Sequence, residues 1–129
     1  MIDNDTHHGS QENDLLDGGE ARDEIYGLSG DDTLKGGQGF NKLWGGAGKD
    51  TFILTPGYGH DIIKDFIIGE DLIVFDFESG PYSEINVGLG KSSSGHAAIF
   101  AFDDLLAIVE GISPDALSQQ STRGLNYIN

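Results

Sequence analysis

Oxygen-bearing side chains recur at a fixed interval in the first half of this chain. Aspartate or asparagine occupies every ninth position of one stretch: Asp14, Asp23, Asp32, Asn41 and Asp50. Glycine pairs at 18–19, 36–37 and 45–46 follow the same interval. Glycine permits turns with positive φ, and carboxylate and carbonyl oxygens are ligands of hard divalent cations. The spacing therefore indicates a repeated glycine turn that presents oxygen ligands.

Five consecutive units fit the pattern G-G-x-G-x-D-x-U-x, where U is a large apolar residue. They occupy residues 9–17, 18–26, 27–35, 36–44 and 45–53. Position 1 is always glycine, and position 8 is always apolar: Leu16, Ile25, Leu34, Leu43 and Phe52. An unstructured glycine-rich linker would not keep several positions in phase over this length, so we interpret residues 9–53 as a structured repeat.

This pattern resembles the RTX (repeats-in-toxin) family of calcium-binding nonapeptides, as in the C-terminal parts of serralysin-type proteases and alginate epimerases. The resemblance implies an all-β fold, a right-handed parallel β-roll (β-helix) with a turn and a short strand in each unit. Two units would form one coil, so the turns of units n and n+2 would stack. Because side chains alternate along a strand, position 8 is expected inside and positions 7 and 9 outside.

The predicted interior is too thin to stabilise such a roll unaided. One large apolar side chain per nine residues does not offset the conformational entropy of ordering those residues. Calcium, which takes about six to eight oxygen ligands, would supply the missing stabilisation. The chain has 7 basic and 22 acidic residues, a net charge of −15. Such a surface attracts cations and argues against nucleic-acid or anionic-membrane partners.

The family resemblance also implies the ligands, which are backbone carbonyls of positions 1, 3 and 5 together with the position-6 side chain. Five units allow three n/n+2 pairs and therefore about three calcium ions. Site one joins 9–17 to 27–35 through Gly9, Gln11, Asn13, Asp14, Gly27, Ser29 and Asp32. Site two joins 18–26 to 36–44 through Gly18, Glu20, Arg22, Asp23, Gly36, Gln38 and Asn41. Site three joins 27–35 to 45–53 through Gly27, Ser29, Asp31, Asp32, Gly45, Ala47 and Asp50.

Two features depart from a uniform set of sites. Asn41 replaces the usual aspartate, so site two is expected to bind calcium more weakly. Downstream, residues 59–77 resemble the segment that ends RTX rolls, and Asp61 and Asp65 are expected to alternate on one strand face. Either these two carboxylates hold a further calcium ion at the C-terminal end of the roll, or they are simply solvated.

The sequence predicts three regions. Residues 1–8 form an N-terminal tail or a partial repeat, and an inward-facing His7 disfavours an ordered half-coil there. Residues 9–53 form the five repeats. Residues 54–129 supply strands at 84–89, 96–102 and 105–112 and a short helix with Ser113 as N-cap, and we expect them to cap the roll.

Tyr26 and Trp44 are eighteen residues apart at outward positions, so their rings are expected to stack on neighbouring strands. Such a ladder would be a platform for a ligand such as a sugar ring. The alternative, which we favour, is that the C-terminal half covers both rings.

Catalytic motifs are absent from the sequence: there is no HExxH, no G-x-S-x-G and no cysteine. We therefore predict a non-catalytic calcium-binding module that folds on Ca²⁺ binding after secretion of a bacterial extracellular protein. The RTX resemblance implies type I secretion, which agrees with the polar start and the lack of any apolar run long enough to span a membrane. The alternatives are a carbohydrate-binding module with a polysaccharide partner, or the C-terminal fragment of a secreted protease or lipase.

Overall fold

The computed structural model describes residues 6–55, 59–76, 87–91, 95–101, 104–118 and 125–128. The strands of the repeat region are β1 (Thr6–His8), β2 (Leu15–Asp17), β3 (Glu24–Tyr26), β4 (Thr33–Lys35), β5 (Asn41–Trp44), β6 (Thr51–Leu54), β7 (Asp61–Ile63) and β8 (Leu72–Asp76). The C-terminal elements are β9 (Val87–Lys91), β10 (Ala97–Ala101), β11 (Asp104–Val109), α1 (Pro114–Ser118) and β12 (Leu125–Ile128).

Strands β1 to β8 alternate between two sheets. The first sheet contains β1, β3, β5 and β7, and the second contains β2, β4, β6 and β8, with all neighbours parallel. Within the nonapeptides each strand pairs with the strand eighteen residues later, as in Leu16 with Leu34 and Leu34 with Phe52. Two strands make one coil of a flattened spiral, so the predicted parallel β-roll is confirmed.

The core of the roll is a single file of side chains from position 8. Ile25, Leu34, Leu43 and Phe52 are completely buried, and their strand neighbours on either side are half-buried or exposed. Ile63 and Ile73 continue the file beyond the nonapeptides. Strand alternation therefore places one side chain per half-coil between the sheets, as the sequence predicted.

Residues 6–8 form the ordered strand β1, in the same phase as the repeats. Thr6, His7 and His8 pair in parallel with β3, and His7 is opposite the core residue Ile25. The expectation that an inward-facing His7 disfavours an ordered half-coil is wrong for residues 6–8. Its backbone joins the sheet, and His7 Nε2 lies 3.9 Å from Oδ1 of Asp23, so the polar ring faces a carboxylate.

The C-terminal elements extend both sheets past the last coil. Strand β11 pairs in parallel with β7, and β12 pairs in parallel with β8. Strands β10 and β9 then add antiparallel to the first sheet. Helix α1 begins after Ser113, whose Oγ accepts a hydrogen bond from Ala116 N at 3.2 Å. These strands occupy sheet edges that would otherwise be open to pairing with another chain.

No helix in the ranges given above is long and apolar enough to cross a membrane.

Candidate metal centre

The turns between the strands stack along the two edges of the roll. The first edge carries the turns 9–14, 27–32, 45–50 and 65–71, and the second edge carries the turns 18–23 and 36–41 followed by residues 59 and 60. Ala47 N donates to Leu28 O on the first edge, and Gln38 N donates to Gly19 O on the second, both at 3.0 Å. The structure thus brings together the three pairs of units that the sequence assigned to calcium.

The position-6 side chains form a buried ladder that joins successive turns. Asp32 Oδ1 accepts a hydrogen bond from Asp14 N at 2.9 Å, and Asp50 Oδ1 accepts one from Asp32 N at 3.0 Å. Asp32 and Asp50 are each only 1% exposed. One carboxylate oxygen of each residue is therefore used to hold the preceding coil in register.

The second oxygen of these carboxylates has no protein partner. Oδ2 of Asp32 and Oδ2 of Asp50 are buried and accept no hydrogen bond. A Cβ at Gly27 would lie 2.7 Å from both Asp32 Oδ2 and Gly45 O, so two oxygens of different residues face the same small space. A buried, unpartnered carboxylate oxygen is costly, and a cation between these oxygens would remove that cost.

The same cradle recurs at the other two predicted sites. A Cβ at Gly18 would lie 2.7 Å from Asp23 Oδ2 and 2.8 Å from Gly36 O. A Cβ at Gly9 would lie 2.8 Å from Asp14 Oδ2 and 2.6 Å from Gly27 O. Site one differs, because Asp14 is only half-buried and its Oδ2 also accepts hydrogen bonds from Ser10 N at 2.6 Å and Ser10 Oγ at 2.9 Å.

The electrostatics of the gaps also favour a bound cation. Burial raises the pKa of Asp32 above its usual value. Burial raises the pKa of Asp50 to about 7; the N–H of Asp32 opposes this rise, and the nearby carboxylates of Asp71, Asp32 and Asp65 add to it. A divalent cation would favour the ionised carboxylates and reverse these shifts.

The donor set suits calcium better than a transition metal. Within the described segments, no three His, Asp or Glu side chains converge on one point as a metal cluster. Each gap instead offers a carboxylate oxygen and a backbone carbonyl oxygen, which are ligands that Ca²⁺ accepts. The remaining predicted positions, at which only backbone carbonyls were expected as ligands, lie in the stacked turns: Gln11, Asn13, Glu20, Arg22, Ser29, Asp31, Gln38 and Ala47.

Two of these position-5 side chains have a different, structural contact. Asn13 Oδ1 accepts a hydrogen bond from Asp31 N at 2.7 Å, and Asp31 Oδ1 accepts one from Lys49 N at 2.8 Å. They form a second, more exposed ladder along the first edge. Their side chains therefore tie the turns together whether or not their carbonyls bind an ion.

Comparison with known proteins agrees with this geometry. A family model of the RTX calcium-binding nonapeptide repeat, in four copies, matches residues 2–34 and 26–63. Residues 2–63 are RTX calcium-binding repeats. A similar solved structure is the solution structure of the AlgE6R3 subunit from the Azotobacter vinelandii mannuronan C5-epimerase. It is 26% identical, with a TM-score of 0.65, over 88% of this chain and 77% of that one. No curated protein matches the chain.

Asp61 and Asp65 lie on opposite edges of the RTX roll, so the expectation that they share a strand face is wrong. Strand β7 ends at Ile63, and Asp65 lies in the following turn on the first edge. Its two carboxylate oxygens accept hydrogen bonds from Gly45 N and Gly46 N, both at 2.8 Å. Asp61 is buried at the start of β7, on the second edge.

Asp71 is a site residue that the repeat pattern did not reveal. Its Oδ1 accepts a hydrogen bond from Asp50 N at 2.9 Å, as Asp50 does from Asp32. It follows Asp50 by 21 residues because the turn before it is longer than a nonapeptide turn. The signal that could have found it is the Gly-x-Asp turn at 69–71, which ends just before a strand.

The rings of Tyr26 and Trp44 stack on the outer face of the RTX roll. Their centroids are 4.4 Å apart with an interplanar angle of 10°, and His8 stacks on Tyr26 at 5.2 Å. Both aromatic side chains are partly exposed. The described C-terminal strands extend the first sheet beyond β7 and do not lie over β3 and β5, so the favoured prediction of a cover finds no support in them.

A groove of about 460 Å³ runs beside this aromatic ladder. Its lining includes Glu24, Lys42 and Ile62 from the strands of the first sheet, and Arg22, Asp23, Phe40 and His60 from the turns of the second edge. The guanidinium of Arg22 lies 5.7 Å from the centre of the Phe40 ring. The RTX roll therefore presents apolar faces and charged groups of both signs on one surface.

Proposed function

We propose that this chain is a calcium-dependent folding module: the RTX roll becomes ordered when Ca²⁺ enters the gaps between stacked turns. The observation that carries this proposal is the buried, unpartnered Oδ2 of Asp32 and of Asp50. Without a cation, the roll contains carboxylates that are either ionised at high cost or protonated. Binding of the metal is then coupled to folding, as in other sites whose ligands are assembled only by the fold.

The module works outside the cell, as part of a secreted bacterial protein exported by a type I machinery. Extracellular calcium modules have dissociation constants of roughly 10⁻⁴–10⁻³ M, and sites of that strength remain empty at cytosolic calcium levels. The chain would stay loosely structured before export and fold afterwards. Its net charge of −15 keeps the metal-free chain expanded by self-repulsion and is partly neutralised by bound ions.

A calcium titration followed by far-ultraviolet circular dichroism tests this function. We expect the chelator-treated protein to lack most of its β signal and to gain it cooperatively as calcium is added, with magnesium much less effective. The variant Asp32→Asn should need more calcium than Glu70→Gln, which removes the same charge from an exposed turn residue. A full β signal in the presence of chelator would contradict calcium-dependent folding.

A second candidate is a carbohydrate-binding accessory module with a polysaccharide partner. It is supported by the stacked, partly exposed rings of Tyr26 and Trp44 and by the groove beside them, whose lining includes Arg22 and Lys42 together with Asp23 and Glu24. The similar AlgE6R3 structure also belongs to a mannuronan C5-epimerase, a protein named for a polysaccharide substrate. This role is compatible with calcium-dependent folding, since calcium would order the surface.

Glycan-array binding in saturating calcium tests this second candidate. We expect Trp44→Ala to lose binding and Ile53→Ala to retain it, because Ile53 is an outward residue at a comparable strand position on the second sheet. Binding that is absent in the unmodified protein, or unaffected by Trp44→Ala, would count against the carbohydrate role without affecting the calcium proposal.

A further inference from the structure

One gap on the second edge is closed by a hydrogen bond between two side chains. Asn41 Nδ2 donates to Asp61 Oδ1 at 2.9 Å. The two residues are 1% and 4% exposed, so this contact is sealed from water. It lies between the turn 36–41 and the start of β7, one coil further along than predicted site two. At predicted site three, by contrast, Oδ2 of Asp32 is buried and accepts no hydrogen bond.

The orientation of the Asn41 amide is fixed by its other partner. Asn41 Oδ1 accepts a hydrogen bond from Asp23 N at 2.9 Å, which leaves Nδ2 directed to the following gap. A Cβ at Gly36 would lie 2.8 Å from Asn41 Nδ2 and 2.5 Å from Asp61 Oδ1. These two atoms thus stand over Gly36 just as Asp32 Oδ2 and Gly45 O stand over Gly27.

In this gap the hydrogen-bond donor Asn41 Nδ2 therefore lies where the other gaps have an aspartate Oδ2, which is an acceptor. An amide N–H carries partial positive charge and cannot ligate a cation. The sequence predicted that Asn41 weakens site two, but the structure locates the changed atom elsewhere. Site two retains Asp23 Oδ2 and Gly36 O over Gly18, and the replaced oxygen belongs to the gap above Gly36.

We propose that the gap between the turn 36–41 and Asp61 is a hydrogen-bonded rung that holds no calcium, and that Asn41 is the residue that closes it to the ion. This inference rests on the proposed function, because it presupposes ions in the other gaps. Asp61 begins β7, which also pairs with β11 of the C-terminal region. The rung therefore joins the repeats to the C-terminal strands through a contact that needs no metal.

Asn41→Asp would open this gap as a new calcium site. The substitution keeps an oxygen for Asp23 N and replaces the donor by a second carboxylate oxygen beside Asp61. Two buried carboxylates at this distance repel each other unless a cation or a proton lies between them. Calcium fits that requirement, since the site would then offer carboxylate oxygens from two residues, which are ligands that Ca²⁺ accepts.

Counting bound calcium by native mass spectrometry and calorimetry tests the inference. We expect Asn41→Asp to bind one ion more than the unmodified chain, whereas Asp61→Asn keeps the original number because its amide oxygen still accepts from Asn41. Asp32→Asn, the matched change on the first edge, should bind fewer ions. Asp61→Asn keeps the test decisive even if Asn41→Asp does not fold.

Two results would overturn the inference. An unchanged ion count with tighter binding in Asn41→Asp would show that the gap is already occupied in the unmodified protein. One ion fewer in Asp61→Asn would show that Asp61 is a ligand. A third result, an unmodified chain that binds no calcium at all, would refute the proposed function itself and with it the distinction between gaps.

Discussion

Replacing Gly46 by alanine tests how closely the turns of the first edge stack. Gly46 is the second residue of its turn and has φ +83°. A Cβ there would collide with the carbonyl oxygen of Leu28 and lie 2.9 Å from its carbonyl carbon. That carbonyl is held in place by the hydrogen bond from Ala47 N. Gly19→Ala is the matched control, because Gly19 has φ +80° and no atom within 4 Å of its Cβ.

The two substitutions share one cost and differ in another. A left-handed backbone conformation costs an alanine about 1–2 kcal/mol in either variant. Leu28 adopts φ 72° at the same repeat position, so the conformation itself is compatible with a side chain. Overpacking against a fixed backbone costs about 1–3 kcal/mol more and applies to Gly46 alone.

We therefore expect the free energy of unfolding of Gly46→Ala to be lower than that of Gly19→Ala by about 1–3 kcal/mol. Urea unfolding at fixed, saturating calcium, followed by circular dichroism and Trp44 fluorescence, measures this difference. Equal losses in the two variants would refute the close stacking of the turns from which the metal gaps are built.

Three further predictions concern the core, the carboxylates and pH. Leu43→Ala should lower the free energy of unfolding by about 2–5 kcal/mol, because Leu43 is completely buried. Leu15→Ala should change it little, because the Leu15 side chain is 75% exposed. Similar losses for the two variants in urea unfolding would contradict the single-file core. Asp32→Ala should reduce the number of bound calcium ions. Asn41→Ala should leave that number unchanged but lower the free energy of unfolding by about 1–3 kcal/mol, because it leaves buried polar groups unpaired. Calorimetry separates the two effects, and a loss of ions in Asn41→Ala would contradict the prediction. Burial raises the pKa of Asp50 and that of Asp61 to about 7 in the metal-free roll. In the unfolded chain the pKa of an aspartate is about 4. The metal-free roll is therefore favoured at low pH and loses stability as the pH rises from about 4 to 7. Chelator-treated protein should accordingly show more β signal at about pH 5 than at about pH 8, and the opposite order would contradict the burial of these carboxylates.

The repeat region could be predicted in detail because one period governs it. Nine-residue spacing places Ile25, Leu34, Leu43 and Phe52 at the same point of successive strands, and strand alternation then determines which side chains are buried. The pairing of Tyr26 with Trp44 follows from the same period. Local sequence and a fixed repeat therefore specify the core and the register of the roll.

The rest depends on partners that no local pattern identifies. Asp71 takes the place of a position-6 aspartate only because a longer turn returns the chain to the first edge. The sequence predicts that Asp65 lies in a strand, but it lies in a turn. Its carboxylate oxygens accept hydrogen bonds from the backbone N–H groups of Gly45 and Gly46. The role of Asn41 depends on Asp61, which lies twenty residues later in the chain and accepts a hydrogen bond from the Asn41 amide. Strand β12 carries no repeat signal and was not predicted.

The most direct test is a crystal structure of the calcium-loaded protein with anomalous scattering data that locate the ions. We expect calcium above Gly27, between Asp32 Oδ2 and the carbonyl oxygen of Gly45, with equivalent ions above Gly9 and Gly18 and none above Gly36. An intact roll with only water or protein atoms above Gly27 would contradict the claim that calcium between stacked turns holds the module together.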